Sequence, residues 1–351
     1  MRAWKVLVCA AFLLCTKASA QSVNIGVLGI FRPKELTLTP AEKQELLVSI
    51  AGHNIFLATR SEYRALQIRV SGNVLLASCG KKEMRAKEIQ AASRNQDASD
   101  FVLTIAGKIK RNYHGTLRVV AKDGVLIPIV KMDLETAVGS VVRAEMPDDT
   151  PLDALKAQAI ATRSYFGAGG ARHADFDFCD LTHCQFLREP PAAGTPAARA
   201  ADETRGMILA YKGKPVAAMF TRSCSGNMRT PQEIGLSSSA YPYFPVICDF
   251  CYKNPIKWTR TVSADDAALL RSGEGGRLSV GRRLGWDAVP SNNFTAHEEG
   301  GRVVLEGFGQ GHGIGLCQRG ARAMAENGAT FREILEHYFP NTRIESERED
   351  R

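Results

Sequence analysis

Beyond its first twenty residues the chain has no run approaching the ~18 apolar residues that a membrane-spanning helix needs, so no transmembrane segment is expected after that point. It has no internal repeat and no low-complexity tract, and its 44% apolar and 23% charged content is that of an ordinary globular protein. The one long apolar stretch is N-terminal. Arg2 and Lys5 precede an apolar core from Val6 to Leu14, and Ala18-Ser19-Ala20 is a small-residue cleavage signal. Residues 1–20 therefore read as a signal peptide, with the mature chain beginning at Gln21 and exported to the periplasm or cell wall. Leu14 before Cys15 does not suit lipid anchoring. Cleavage removes Arg2, Lys5 and Lys17 and no acidic residue, which lowers the net charge from +8 to +5. That balance suits polyanionic surroundings such as cell wall, but it is modest enough to serve solubility alone, and no nucleic-acid partner is expected. An even cysteine count is also missing. Of nine cysteines, seven lie beyond residue 20: Cys79, Cys179, Cys184, Cys224, Cys248, Cys251 and Cys317. An odd number in an exported protein argues against a pure disulfide framework.

The 351 residues allow two domains, or one large domain with an appendage. Residues 21–130 read as β-rich, from the short runs at 23–28, 65–70, 101–105 and 117–120 and the turn pairs Gly72-Asn73 and Asp123-Gly124. The charged stretch 80–95 suits a helix. From residue 131 the pattern changes. Leu134, Val138, Val141, Val142 and Glu145 share one helical face, which Pro147 ends. Thr150 is placed to cap a second helix, with Pro151 at its first position and Asp153 near the capping-box position; Gly167, Gly169 and Gly170 stop it. That helix carries Leu152, Leu155, Ala159, Thr162 and Phe166 on one face and Ala154, Ala157 and Ala161 on the other, so it should be buried nearly all round. Strands are expected near 207–211, 215–221 and 302–306, and helices near 318–327 and 331–337. Residues 341–351 read as a charged tail.

Four constellations could carry chemistry. Glu145 ends an apolar helix, where burial disfavours its ionised form and suits it to general-acid work. Lys156, Gln158 and Arg163 on the second helix need partners or ligands if that helix is buried. Spacing alone favours a structural salt bridge from Glu145 to Arg163 or Lys156 over a substrate site. His173, Cys179, His183 and Cys184 offer a tetrahedral N/S set of the kind zinc prefers, and a Cys179–Cys184 disulfide with solvated histidines is an equal alternative on spacing. Cys224 with Cys248-x2-Cys251 reads as a structural disulfide, because a metal would lack an obvious fourth ligand. Finally, Gly307 to Gly315 has glycine at every second position; in an extended chain this bares one face to another backbone or a ligand. No Lys-Ser/Thr follows, so a phosphate cradle is disfavoured, and His312 reads as a hydrogen-bonded core histidine.

Taken in order, these blocks resemble the SpoIID/LytB domain family of bacterial cell-wall proteins. The resemblance runs from about residue 130 to 340 and rests on Val142-Arg143-Ala144-Glu145-Met146-Pro147, Ala154-Leu155-Lys156-Ala157-Gln158-Ala159, Cys179-Asp180-Leu181-Thr182-His183-Cys184-Gln185, Ser223-Cys224-Ser225-Gly226, Gly311-His312-Gly313-Ile314-Gly315-Leu316-Cys317-Gln318 with Gly320-Ala321, and His337-Tyr338-Phe339-Pro340. It departs from the family at Asn227, where a glycine is usual, and at Arg319, where an aromatic is usual. The resemblance implies an α+β fold: a mixed SpoIID-like catalytic domain (131–340) behind a β-rich N-terminal region. It implies a peptidoglycan lytic transglycosylase acting on denuded glycan strands, with Glu145 catalytic and Lys156, Gln158 and Arg163 lining the sugar site. It also implies zinc beside the active site on His173, Cys179, His183 and Cys184, which tips the balance for that loop toward metal. The expected chemistry needs one carboxylate. Glu145 protonates the glycosidic oxygen after N-acetylmuramic acid and then takes the proton of the C6 hydroxyl as it attacks, leaving a 1,6-anhydro end. A hydrolase would need two carboxylates. Two rivals remain: a non-catalytic glycan-binding enhancer of a cell-wall amidase, as LytB-like relatives have been regarded, and a secreted zinc hydrolase, which would need an open metal position.

Overall fold

The protein is described by a computed structural model covering residues 21–170, 172–237 and 241–346; the expected signal peptide lies outside these residues. The fold is α+β, with a β-rich N-terminal region as expected. Residues 22–133 form a curled, mostly antiparallel sheet. Its longest strand, Ile109–Lys122, pairs through its first half with Ser99–Ile105 and through its second half with Val125–Asp133 and Glu88–Ala92, which turns the sheet over on itself. Leu117 and Val119 point into the apolar interior while their neighbours are half-buried, the two-residue alternation of a strand with one face on a core. The stretch 80–95 is not helical. It makes two strands, Lys82–Ala86 and Glu88–Ala92, because Ile89 and Ala91 recur every second residue and are buried.

Eight helices follow among the described residues: α1 (Leu134–Glu145), α2 (Leu152–Ala168), α3 (Pro196–Glu203), α4 (Asp249–Lys253), α5 (Ala264–Leu270), α6 (Glu274–Leu284), α7 (Gln318–Glu326) and α8 (Phe331–Tyr338). The centre is α2. Apart from Lys156, every residue from Ala154 to Phe166 is buried, against α1, α3, α7, α8 and the strand Met207–Tyr211. Its start differs from expectation by one residue. Pro151 is the N-cap, the Thr150 hydroxyl is buried without a partner, and Asp153 accepts the Phe331 backbone N–H at 3.0 Å. Asp153 thus supplements the Thr330 cap of α8, a role set by tertiary packing. The end of the chain differs as well: Arg343–Ser346, read as tail, pairs antiparallel with Met207–Tyr211 and satisfies that strand's open edge.

One apolar core runs from Val23 to Phe339 without a break at residue 130. A second, smaller core of Trp258, Val262, Leu270, Val280, Val289, Val303 and Leu305 lies under the strands Lys257–Val262, Phe294–Glu299 and Arg302–Phe308 with α5 and α6. This satellite interrupts the chain between α4 and α7. No helix among the described residues is long and apolar enough to cross a membrane.

Candidate active site

Glu145 is the last residue of α1, whose N-terminus is capped by Asp133 accepting the backbone N–H groups of Glu135 and Thr136. Pro147, two residues on, prevents the helix continuing, so the carboxylate stands at a fixed end, half-buried. Gln318, the first residue of α7, donates from Nε2 to Glu145 Oε2 at 3.3 Å and to Gln158 Oε1 at 3.2 Å; Gln158 Nε2 donates to Thr162 Oγ1 at 3.2 Å. Gln158 is fully buried and Gln318 nearly so, and the two amides make a fixed relay from the middle of α2 to the carboxylate. Burial pushes Glu145 up to about 7, against the opposing pull of the Gln318 amide, the Phe186 backbone N–H and the positive charges of Arg222 and Arg188. A carboxyl poised there exists in both protonation states at neutral pH, as a single acid and base requires.

This shift predicts a pH-dependent stability difference. The folded Glu145 holds its proton more tightly than an ordinary carboxyl near 4.5, so the native protein loses stability as pH rises from about 4.5 through about 7. The full shift corresponds to about 3 kcal/mol; with one side open to solvent, about 1–2 kcal/mol is expected. Glu145→Gln does not titrate and should gain that much on wild type between pH 4 and pH 8, measured by urea unfolding at each pH. A constant difference across that range would contradict the raised value.

The four residues expected to converge do so only in part. Gln158 reaches Glu145 through Gln318. Lys156 instead pairs with Glu203 at 2.6 Å and lies 5.9 Å from the Phe331 ring. Arg163 is fully buried. It makes a two-pronged ion pair with Glu135 at 2.8 and 2.6 Å and donates to the carbonyls of Met207 at 3.0 Å and Ala201 at 3.3 Å. The buried salt bridge that spacing favoured therefore exists, but its acid is Glu135. Arg163 ties α1, α2, α3 and the strand Met207–Tyr211 together and has no open face for a sugar. The cations that do act on Glu145, Arg188 and Arg222, are both exposed. Neither was singled out in the sequence, since exposed arginines on loops carry no local signal. Gln318 lay within a recognised block, but nothing in its surroundings announced its reach across 173 positions.

The loop after α2 brings His173, Cys179, His183 and Cys184 together with their ligand atoms within 4.8 Å of one another. Cys184 Sγ is 3.4 Å from His173 Nε2 and 3.5 Å from His183 Nδ1, and Cys179 Sγ is 3.8 Å from His183 Nδ1. The strand Ser22–Gly26 anchors the loop. Phe178–Cys179 adds to it in parallel, and Asp177 accepts the Asn24 backbone N–H and side-chain amide at 2.9 and 3.0 Å. Asp180 accepts the Leu28 N–H at 2.9 Å, and burial lifts this carboxyl to about 6. Cys179 and Cys184 face each other closely enough to share a proton, the hydrogen bond between them holding Cys179 up at about 12 and Cys184 down at about 7. The loop then delivers Phe186 to Glu145.

The Gly-rich passage is not extended. Gly309, Gly311, Gly313 and Gly315 are left-handed, with φ of 79°, 97°, 76° and 74°. The expected close approach is real nonetheless: a Cβ at Gly309, Gly311 or Gly315 would collide with Ser225, Thr221 or the Met219 carbonyl. His312 accepts the Ile314 N–H on Nδ1 at 3.0 Å, and burial lowers its basicity, as befits a core histidine. Cys224, Cys248 and Cys251 are free thiols, not the expected disulfide, and Cys317 lies beside them.

An α+β protein with a half-buried, amide-held carboxyl at the end of α1 and a two-cysteine, two-histidine loop beside it is the class that fold and site define. Residues 122–211 match the SpoIID family model, described as Stage II sporulation protein. Stage II sporulation protein D of Bacillus amyloliquefaciens is 26% identical over 260 residues, which cover 62% of this chain and 75% of that protein. An uncharacterised protein of Brachyspira hyodysenteriae is 28% identical over 261 residues, 65% of this chain and 70% of that one. The amidase enhancer of Bacillus subtilis is 22% identical over 289 residues, which cover 59% of this chain but only 40% of the enhancer.

Proposed function

We propose that this protein is an exported lytic transglycosylase of the cell wall, cleaving denuded peptidoglycan strands after N-acetylmuramic acid with Glu145 as its only acid and base. The observation that carries the reading is the state of Glu145, held at about 7 by burial in a side chain that still has an open side. Gln318 occupies Oε2 as a donor, which leaves the acidic proton to Oε1. That proton passes to the glycosidic oxygen as the C1–O4 bond breaks. The resulting carboxylate then takes the proton of the C6 hydroxyl as its oxygen bonds to C1. No water enters, and Glu145 ends protonated as it began. The charged groups acting most on Glu145 are arginines, whereas a hydrolase places a second carboxylate opposite the first.

Arg188 and Arg222 also bear on the substrate. A muramic acid stripped of its stem peptide exposes a lactyl carboxylate, which two exposed guanidinium groups beside the acid can hold. Arg222→Gln should raise KM on denuded strands about three- to tenfold, an effect of roughly 1 kcal/mol, and Arg222→Lys, which keeps the charge, should restore most of it. An unchanged KM in Arg222→Gln would contradict the assignment.

The four-donor loop fits a tetrahedral zinc ion. His173, Cys179, His183 and Cys184 would hold it, and with four protein ligands the ion would supply no open position for chemistry. Its part is to brace the loop that presents Phe186. The similarity to the amidase enhancer favours a second reading, a glycan-binding module that raises a cell-wall amidase's rate. The two readings separate on purified protein and denuded glycan alone: the first yields anhydro ends, the second no ends at all.

A further inference from the structure

The second group of cysteines has no part in this chemistry. Cys224 follows the strand Phe220–Thr221, Cys248 and Cys251 bracket the start of α4, and Cys317 is the N-cap of α7. Segments far apart in the chain thus bring four sulfurs within 4.8 Å of one another, all buried and all unpaired by disulfides. Buried thiols can pack as small apolar groups, but two features here fit a metal. The first is spacing. At a zinc–sulfur distance of about 2.3 Å, the sulfurs of a tetrahedral tetrathiolate stand about 3.8 Å apart; Cys251 and Cys317 are 3.5 Å apart. The second is the surroundings. The Tyr338 hydroxyl is 3.2 Å from Cys248 Sγ and the Ser223 hydroxyl 3.5 Å from Cys251 Sγ. Cys317 sits where the N-terminus of α7 favours negative charge. Hydrogen-bond donors around the sulfurs are what metal-bound thiolates need. Gly320 is part of this arrangement, since a Cβ there would strike both the Tyr338 hydroxyl and the Cys248 sulfur.

We propose that Cys224, Cys248, Cys251 and Cys317 bind one zinc ion in a closed tetrathiolate centre, separate from the His173 loop. The thiol protons leave to solvent as the ion binds. Four cysteines then serve this centre and two the loop, and Cys79, buried with its thiol donating to the Ala65 carbonyl at 3.2 Å, is the odd one left over. The centre would be structural. Cys317 immediately precedes Gln318, and Arg222 lies two residues before Cys224, so the ion would tie together two segments that reach Glu145.

The decisive protein is the full-length His183→Ala variant, in which the loop site is broken. Purified without chelator and examined by native mass spectrometry with parallel metal analysis, it should retain one zinc ion per chain. Loaded with cobalt in place of zinc, it should give the ligand-field and charge-transfer spectrum of a tetrathiolate. Adding Cys251→Ser should remove both. No metal in His183→Ala overturns the proposal. So does an unfolded, non-reduced wild-type mass four hydrogens light, with peptide mapping that places both disulfides among these four cysteines. The His183→Ala stoichiometry and the wild-type mass decide the matter even if the Cys251→Ser protein does not fold.

Discussion

Glu145→Gln is expected to lower the rate of glycan cleavage by a factor of about 10²–10⁴ while leaving glycan binding near wild type. Glutamine matches the carboxyl in shape and can still meet the Gln318 amide, so the end of α1 keeps its place. What disappears is a proton that can leave and return. In the wild-type protein the rate should fall as pH rises through about 7, because the protonated fraction of Glu145 falls there. The measurement is initial rate on denuded strands across pH, together with strand binding by the inactive variant. Wild-type activity in Glu145→Gln would remove Glu145 from the chemistry. Lost binding with an unfolded spectrum would say only that the substitution damaged the fold, and the pH profile of the wild type would then carry the test.

Arg163→Ala is expected to cost about 3–5 kcal/mol of stability, the range for removing one partner of a buried ion pair. The loss leaves the Glu135 carboxylate without its guanidinium partner and the Ala201 and Met207 carbonyls without their side-chain donor. Urea unfolding at pH 7 measures it. A substrate-binding arginine would behave differently: its loss would raise KM with little change in unfolding midpoint. That outcome would contradict the placement of Arg163 as a structural tie.

The sequence made the burial of α2 legible, because alanines on the face opposite Leu152, Leu155 and Phe166 leave no polar side to turn to water. The same helix explains why the expected convergence failed. At about 100° per residue, Lys156 and Arg163 fall on one edge and Gln158 on the other, so a straight helix cannot aim all three at one carboxylate. Only the Gln158 edge faces α7 and Glu145. The other edge faces α3, whose Glu203 takes Lys156, and the start of α1, whose Glu135 takes Arg163. The two-cysteine, two-histidine loop was legible because its four side chains lie within a dozen residues. Cys317 was not, since its partners come from distant segments and only the tertiary fold brings the four sulfurs together. The stretch 80–95 misled because its charges outnumber its few apolar residues, and the two-residue alternation of Ile89 and Ala91 is too short to outweigh them.

The proposed reaction would leave its mark on the product. Wild-type protein incubated alone with denuded glycan should release fragments whose muramic ends are one water lighter than reducing ends, seen by mass spectrometry, and Glu145→Gln should release none above background. Reducing ends of full mass from the wild-type protein, or no new ends at all, would contradict the account.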